Sequence, residues 1–212
     1  LLSASILLPT RARPDACRRS IASLVETTKY HALEFLIRVD DDDEWLEDYG
    51  NLNLKVITGH RHGYAGLHHY VNELCEIAVH EWLFLWNDDA IMVTPGWDEI
   101  LSEYSNRMVI LNPKTNHSLT GSCIFPIIPR RMFEILGHFS LNRHNDTWVE
   151  FIGRELGITV DVPVEVLHDR ADLTGNNNDA TYRERTYGAE EFWSEATQAL
   201  IKRDVEVLRG HV

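Results

Sequence analysis

Two adjacent carboxylates, Asp88 and Asp89, close the apolar run Leu83-Phe84-Leu85-Trp86 and are preceded by Asn87. Enzymes acting on nucleotide diphosphates place a divalent metal in this way. Mg2+ and Mn2+ take oxygen ligands, keep several waters, and are commonly held by one or two carboxylates plus substrate phosphates. Two further polar clusters stand in comparable places: Thr10-Arg11-Ala12-Arg13 follows Ser5-Ile6-Leu7-Leu8, and Asp40 to Asp43 follow Leu33 to Val39. In an open α/β sheet, ligands bind beyond the carboxyl ends of the strands, where loops converge and helix N-termini point into the crevice. A solvated turn has no reason to recur after successive strands, so the three clusters predict one shared rim.

The elements that must carry this rim alternate through the first half of the chain. Ser5 to Leu8 reads as a buried strand closed by Pro9, and Pro14-Asp15 opens a helix, with proline at its first position and an acid in its first turn. Ile21, Leu24 and Val25 form the apolar stripe of that helix. Leu33 to Val39, Leu54 to Thr58 and Trp82 to Trp86 are further strands, and Leu67, Tyr70, Val71, Leu74, Ile77 and Ala78 recur at helical spacing. The second half is less regular. Val109 to Leu111, Cys123 to Ile128 and Pro163 to Leu167 read as strands, Arg130 to Leu136 and Thr147 to Leu156 as helices, and Gly157 as a C-cap. Asp169 to Gly188 is polar and contains Asn176-Asn177-Asn178, which predicts a mobile loop. A last helix, about Ala189 to Arg209, carries Phe192, Trp193, Ala196, Leu200, Val207 and Leu208.

The alternation of strands and helices predicts a single α/β domain, and 212 residues suffice for one sizeable core. Hydrophobic residues at 44% and charged residues at 25% are globular values, which argues against a disordered or fibrous chain. No window has the roughly 18 apolar residues of a membrane span, and Leu1 to Pro9 lacks the length and basic leader of a signal peptide. Cys17, Cys75 and Cys123 are far apart and odd in number, so the expectation is a reducing, cytoplasmic setting. The net charge of −13 argues against a nucleic-acid partner, which requires clustered Lys and Arg. Small anionic ligands remain compatible with it where a metal or a few arginines neutralise them.

Together these motifs resemble inverting, family-2-like glycosyltransferases of the GT-A fold, over about Ser3 to His168. Ser5 to Pro14 is similar to that family's opening strand and nucleotide-contacting turn, with Thr10, Arg11 and Arg13 as contacts. Val39-Asp40-Asp41 is similar to its second-strand aspartates, which contact the nucleotide base. Asn87-Asp88-Asp89 takes the place of the Asp-x-Asp motif, with Asn87 where the first Asp would stand. An amide brings no charge, so the resemblance assigns the metal contact to Asp89 and leaves Asn87 and Asp88 with the nucleotide.

Gly137-His138-Phe139 and Asn145-Asp146 stand where the family has its Gly-Gly-Phe turn and Glu-Asp pair. Asp146 thus corresponds to the catalytic base; its other reading is an N-cap for the helix from Thr147. His168 resembles the late metal-ligating histidine of many GT-A enzymes, with Asp169 as the alternative ligand.

The resemblance implies a GT-A, Rossmann-like fold with a mixed, mostly parallel sheet flanked by helices. It places the catalytic domain at 1–168, with a nucleotide-binding half at about 1–90 and an acceptor-side half at about 91–168. Residues 169–188 would form a lid, and 189–212 a C-terminal helix of the same domain. The implied reaction is metal-assisted transfer of a sugar from a nucleotide diphosphate to an acceptor hydroxyl, with inversion. A UDP-sugar is the first donor expected, with Mn2+ or Mg2+. Arg11, Arg13, Arg170, Arg183 and Arg185 are candidates to offset phosphate charge, and Trp86, Trp97 and Trp148 to stack on sugars. Two other readings stay open. A metal-dependent nucleotidyltransferase would use the same strand-end acids but usually shows a Gly-rich, basic first loop, which Thr10 to Arg13 lacks. A catalytically silent glycosyltransferase-like binding module is favoured by Asn87 and opposed by Asp146.

Overall fold

The computed structural model describes residues 2–30, 32–50, 54–117, 122–184 and 190–212. Eight strands form one sheet: β1 (Ala4–Pro9), β2 (Leu33–Asp40), β3 (Lys55–Gly59), β4 (Trp82–Leu85), β5 (Ala90–Met92), β6 (Ile110–Thr115), β7 (Ile127–Pro129) and β8 (Thr159–His168). Their order across the sheet is β3-β2-β1-β4-β7-β6-β8-β5. The first four are mutually parallel, β7 runs against β4 and β6, β8 runs parallel to β6, and β5 pairs antiparallel to β8. The helices are α1 (Pro14–Thr27), α2 (Leu46–Gly50), α3 (Leu67–Ile77), α4 (Trp97–Ser102), α5 (Arg130–Leu136), α6 (Asn145–Leu156), α7 (Ala171–Thr174), α8 (Ala180–Arg183) and α9 (Glu195–Arg209). This is the expected helix-flanked, mostly parallel sheet.

Both faces of the sheet are covered, which is why its parallel strands read as unbroken apolar runs. In β1, Ile6 and Leu8 join the cluster that holds Cys17, Ile21 and Leu24 of α1 and Trp97 of α4. The intervening Leu7 joins Val71 and Leu74 of α3, Trp148 and Ile152 of α6, and Ile201, Val205 and Leu208 of α9. Each fully buried Leu or Ile contributes about 1.5–3 kcal/mol. The three tryptophans proposed to stack on sugars are spent here: Trp86, Trp97 and Trp148 are all fully buried. The exposed indoles are those of Trp45 and Trp193.

Two contacts fix the helices that matter for the rim. A Cβ on Gly153 would lie 2.2 Å from Thr159 Oγ1 and 2.9 Å from Ile110 Cδ1, so α6 lies against β6 and β8 only because that residue is glycine. Asp204 of α9, itself 1% exposed, accepts from His138 Nε2 at 2.7 Å and from Trp148 Nε1 at 3.2 Å. The C-terminal helix is thereby tied to the Gly137 turn and to α6.

Several expectations shift. β7 covers only Ile127–Pro129 rather than the whole of Cys123 to Ile128, since Pro126 has no N–H to continue the ladder. β8 begins four residues before Pro163 and runs for ten. The expected last helix starts at Glu195, capped by Ser194, which leaves Phe192 and Trp193 in the preceding turn. Asp169 to Gly188 carries the helical turns α7 and α8 instead of being irregular throughout, and Arg185, Gly188 and Ala189 lie outside the described residues. Among the described residues, no helix is long and apolar enough to cross a membrane.

Candidate active site

The turn from β4 to β5 carries Asn87, Asp88 and Asp89, and α1 holds it from below. Ser20 Oγ accepts from Trp86 Nε1 at 2.7 Å and lies 2.6 and 2.9 Å from the carbonyl oxygens of Ala90 and Asn87. Apolar packing thus delivers the strand end, and one buried hydroxyl sets its turn.

The two aspartates differ in their partners. Asp88 accepts from Thr10 Oγ1 at 2.6 Å and from Arg13 Nη1 at 3.0 Å, and Tyr49 OH joins Thr10 and the Arg13 amide to the same network. Burial and the neighbouring Asp89 push the Asp88 carboxyl above its usual range, in spite of Arg13. Burial acts on Asp89 in the same direction, but there His168 and Arg13 outweigh it and hold the carboxyl below its ordinary value. Asp89 Oδ1 lies 3.2 Å from His168 Nε2. The backbone sets that meeting, because Ala90 pairs with His168 across β5 and β8, and the Asp169 amide donates to the Asp89 carbonyl at 2.7 Å.

Arg11 Nη1 donates to Asp40 Oδ2 at 2.9 Å and to Asp42 Oδ1 at 2.5 Å. Asp40 is 3% exposed, and its Oδ1 is a buried acceptor without a hydrogen-bond partner. Asp41, by contrast, lies in the turn after β2, is exposed and stands apart from the residues lining the cleft.

Asp146 is half-buried in the first turn of α6 and accepts from the Thr147 amide at 2.8 Å. Burial raises its carboxyl above the ordinary aspartate value. The helix begins at Asn145 with His144 as N-cap, so the capping alternative for Asp146 does not hold.

These groups meet in one cleft of about 390 Å3, within the roughly 300–1,000 Å3 typical of small-molecule sites. Thr10, Arg11, Arg13, Asp40, Asn87, Asp88, Asp89, Asp146 and His168 all line it. Three arginines that sequence reasoning missed line it too: Arg38, Arg61 and Arg143. Arg38 had a legible signal, a charged residue inside the apolar strand Leu36-Ile37-Arg38-Val39. The others sit in loops with no such contrast.

The segment after His168 is docked on this cleft. Asp179 caps α8 by accepting from the Tyr182 amide, and takes a two-point contact from Arg13, Nε to Oδ2 at 2.8 Å and Nη2 to Oδ1 at 2.7 Å. Thr181 Oγ1 donates to the Arg11 carbonyl at 3.0 Å, and Arg61 pairs with Glu184 at 2.7 Å. Of the loop arginines, Arg170 lines the cleft and pairs with Asp172, while Arg183 is exposed. The Asp169 carboxylate, the alternative metal ligand, is instead engaged by Thr174 and Asn176, each at 2.7 Å. Replacing Asp179 with Ala removes the cap and the Arg13 contact together. Amides of residues 180–184 are expected to exchange at least about fivefold faster, given about 1 kcal/mol for the cap alone. Exchange mass spectrometry reads this, and unchanged rates would mean the segment is held elsewhere.

Among the described residues, no three His, Cys, Asp or Glu side chains gather as a complete metal cage. Asp89, in the turn just before β5, and His168, at the end of β8, provide one carboxylate oxygen and one imidazole nitrogen 3.2 Å apart. That pair fits Mn2+ or Mg2+ with the remaining positions left to phosphate oxygens and water.

No family model matches the chain, and no curated protein sequence does. Solved structures do match in three dimensions. GalNAc-T7, crystallised with UDP, GalNAc and Mn2+, superposes with a TM-score of 0.65 at 14% identity, over 98% of this chain and 48% of that one. Residues 1–349 of TarS from S. aureus superpose with a TM-score of 0.57 at 16% identity, over 78% of this chain and 58% of that one. The chain therefore spans about half the length of the structures it matches. The likeness shows a GT-A glycosyltransferase fold.

Proposed function

We propose that this GT-A domain transfers a sugar from a nucleotide diphosphate, UDP first among them, to an acceptor hydroxyl with inversion. The observation that supports it is the single cleft in which Asp89, His168 and Asp146, from three distant parts of the chain, meet six arginines: Arg11, Arg13, Arg38, Arg61, Arg143 and Arg170. Each of these arginines is paired with a carboxylate of the chain, so an anionic ligand would bind by sharing or displacing those partners, as charge-assisted contacts to phosphate allow. The structure crystallised with UDP, GalNAc and Mn2+ gives a precedent for such a donor on this fold.

Each group then has a role. Asp40, which lines the cleft and is held by Arg11 and Arg38, serves as the contact to the nucleobase. Arg11 and Arg13 face the diphosphate, and Thr10 and Arg13 keep Asp88 in place beneath it. Asp89 and His168 would hold Mn2+ or Mg2+, which supplies Lewis-acid stabilisation of the departing diphosphate. Asp146 accepts the proton of the acceptor hydroxyl as its oxygen bonds to the anomeric carbon and the nucleotide oxygen leaves from the opposite side. A raised carboxyl suits this task, since a general base works best with a pKa near the operating pH. The docked segment from Asp169 excludes water that would otherwise hydrolyse the donor.

Calorimetric titration tests the reading. UDP is expected to bind, to bind more tightly with Mn2+ present, and to lose that gain in Asp89→Ala. Silence for UDP, GDP and CDP with and without Mn2+ would remove the nucleotide site. Binding with no transfer or hydrolysis of any nucleotide sugar would favour the silent module.

A further inference from the structure

His168 is held by two consecutive residues that directly follow β6. Asn116 clasps its backbone from both sides: the His168 amide donates to Asn116 Oδ1 at 2.8 Å, and Asn116 Nδ2 donates to the His168 carbonyl at 3.1 Å. His117 Nε2 lies 2.9 Å from His168 Nδ1, with the ring centroids 5.1 Å apart, and Phe125 meets the His168 ring edge-on at 5.0 Å. The His168 ring is 3% exposed, so no solvent molecule substitutes for these partners.

Two imidazole nitrogens 2.9 Å apart share one proton. If His117 carries it, His168 Nδ1 is the acceptor, and a neutral His168 bears its proton on Nε2, turned toward Asp89. If His168 carries it, Nε2 is a bare lone pair 3.2 Å from the Asp89 carboxylate, two acceptors that only a cation between them reconciles. Only the second arrangement can ligate a cation, because a ring nitrogen binds a metal through its lone pair.

We propose that His117 is a positioning residue for the metal ligand His168: its Nε2 accepts the His168 Nδ1 proton, selecting the tautomer and ring orientation that present Nε2 to a divalent cation beside Asp89. Metal-bound histidines almost always donate their other N–H to a carboxylate, carbonyl or water. Here a second imidazole takes that place, and it comes from the chain leaving β6, the strand that pairs with β8. His117 itself touches neither cation nor substrate in this role. The inference rests on the nucleotide and metal reading above.

Mn2+ binding in the presence of UDP, followed by the loss of the free-ion electron paramagnetic resonance signal, separates the two. His117→Ala is expected to weaken Mn2+ about 10- to 100-fold, with its melting temperature close to that of the parent chain. His117→Gln, whose amide oxygen can accept the same proton, is expected to recover affinity to within a few-fold. His168→Ala gives the reference loss. Mn2+ affinity unchanged in His117→Ala overturns the positioning role while leaving the metal site intact. So does an equal loss in the Ala and Gln variants, since acceptance of the proton would then not be what matters. Failure of the parent chain to bind Mn2+ with UDP overturns the reading of the site and the role of His117 together.

Discussion

Asp146→Asn is expected to slow transfer, or hydrolysis of a bound donor, by about 10²- to 10⁴-fold, the usual contribution of a positioned general base. Asparagine keeps the shape and can still accept from the Thr147 amide, so α6 should start in the same place. UDP affinity should change by no more than a few-fold, because the role proposed for Asp146 is toward the acceptor hydroxyl and not the nucleotide. A second measurement sharpens the assignment. The parent carboxylate must be ionised to take a proton, and burial raises its pKa. The rate should therefore fall, as pH is lowered, at a higher pH than an ordinary aspartate would give, and this acid limb should vanish in Asp146→Asn. Rates near those of the parent chain in the variant would move the base to another residue.

The largest expected loss of stability lies away from the cleft. Asp204→Ala leaves His138 Nε2 and Trp148 Nε1 buried without their acceptor, and removing one partner of a buried pair typically costs about 3–5 kcal/mol. Urea unfolding of the parent chain and the variant reads the difference directly. Asp204→Asn, which keeps an acceptor oxygen, should lose less. A loss under about 1 kcal/mol for the alanine variant, the value of an exposed pair, would mean that water reaches the site. The pair ties α9 to the Gly137 turn and to α6, so the alanine variant should also perturb the cleft around Asp146 before the part around Arg11 and Asp40.

Much of this arrangement was legible because backbone periodicity and strand-end chemistry are local. Pro14 marked the start of α1, the spacing of Leu67 to Leu74 marked α3, and Thr10, Asp40 and Asp89 declared themselves by following apolar runs. Asp41 stands apart from Asp40 in the structure, since the strand ends at Asp40 and Asp41 turns out to solvent, a difference that adjacency in sequence hides. Trp86, Trp97 and Trp148 were ambiguous because an indole suits a sugar and a core equally well. The helical turns α7 and α8 have too few residues for a period to show, and the cap of α8, Asp179, is held by Arg13, 166 residues away in sequence. His117 and Asn116 gave no signal either. Their roles depend on the parallel pairing of β6 with β8, which no pattern within either strand encodes.

That pairing has a bearing on how the chain tolerates change. Asp89 and His168 face each other because Ala90 is in register with His168, and the Asp169 amide closes the ladder on the Asp89 carbonyl. Their separation is thus a lattice spacing of the sheet, indifferent to how many residues the intervening chain contains. Insertions or deletions in the loops between Met92 and Thr159 that spare β6, Asn116 and His117 can remodel that part of the cleft without moving Asp89 and His168. A slip of one residue in β8 is another matter: it would carry the imidazole to the opposite face and present Leu167 or Asp169 instead. The intervening loops can diversify in length, while the last strand must keep its phase.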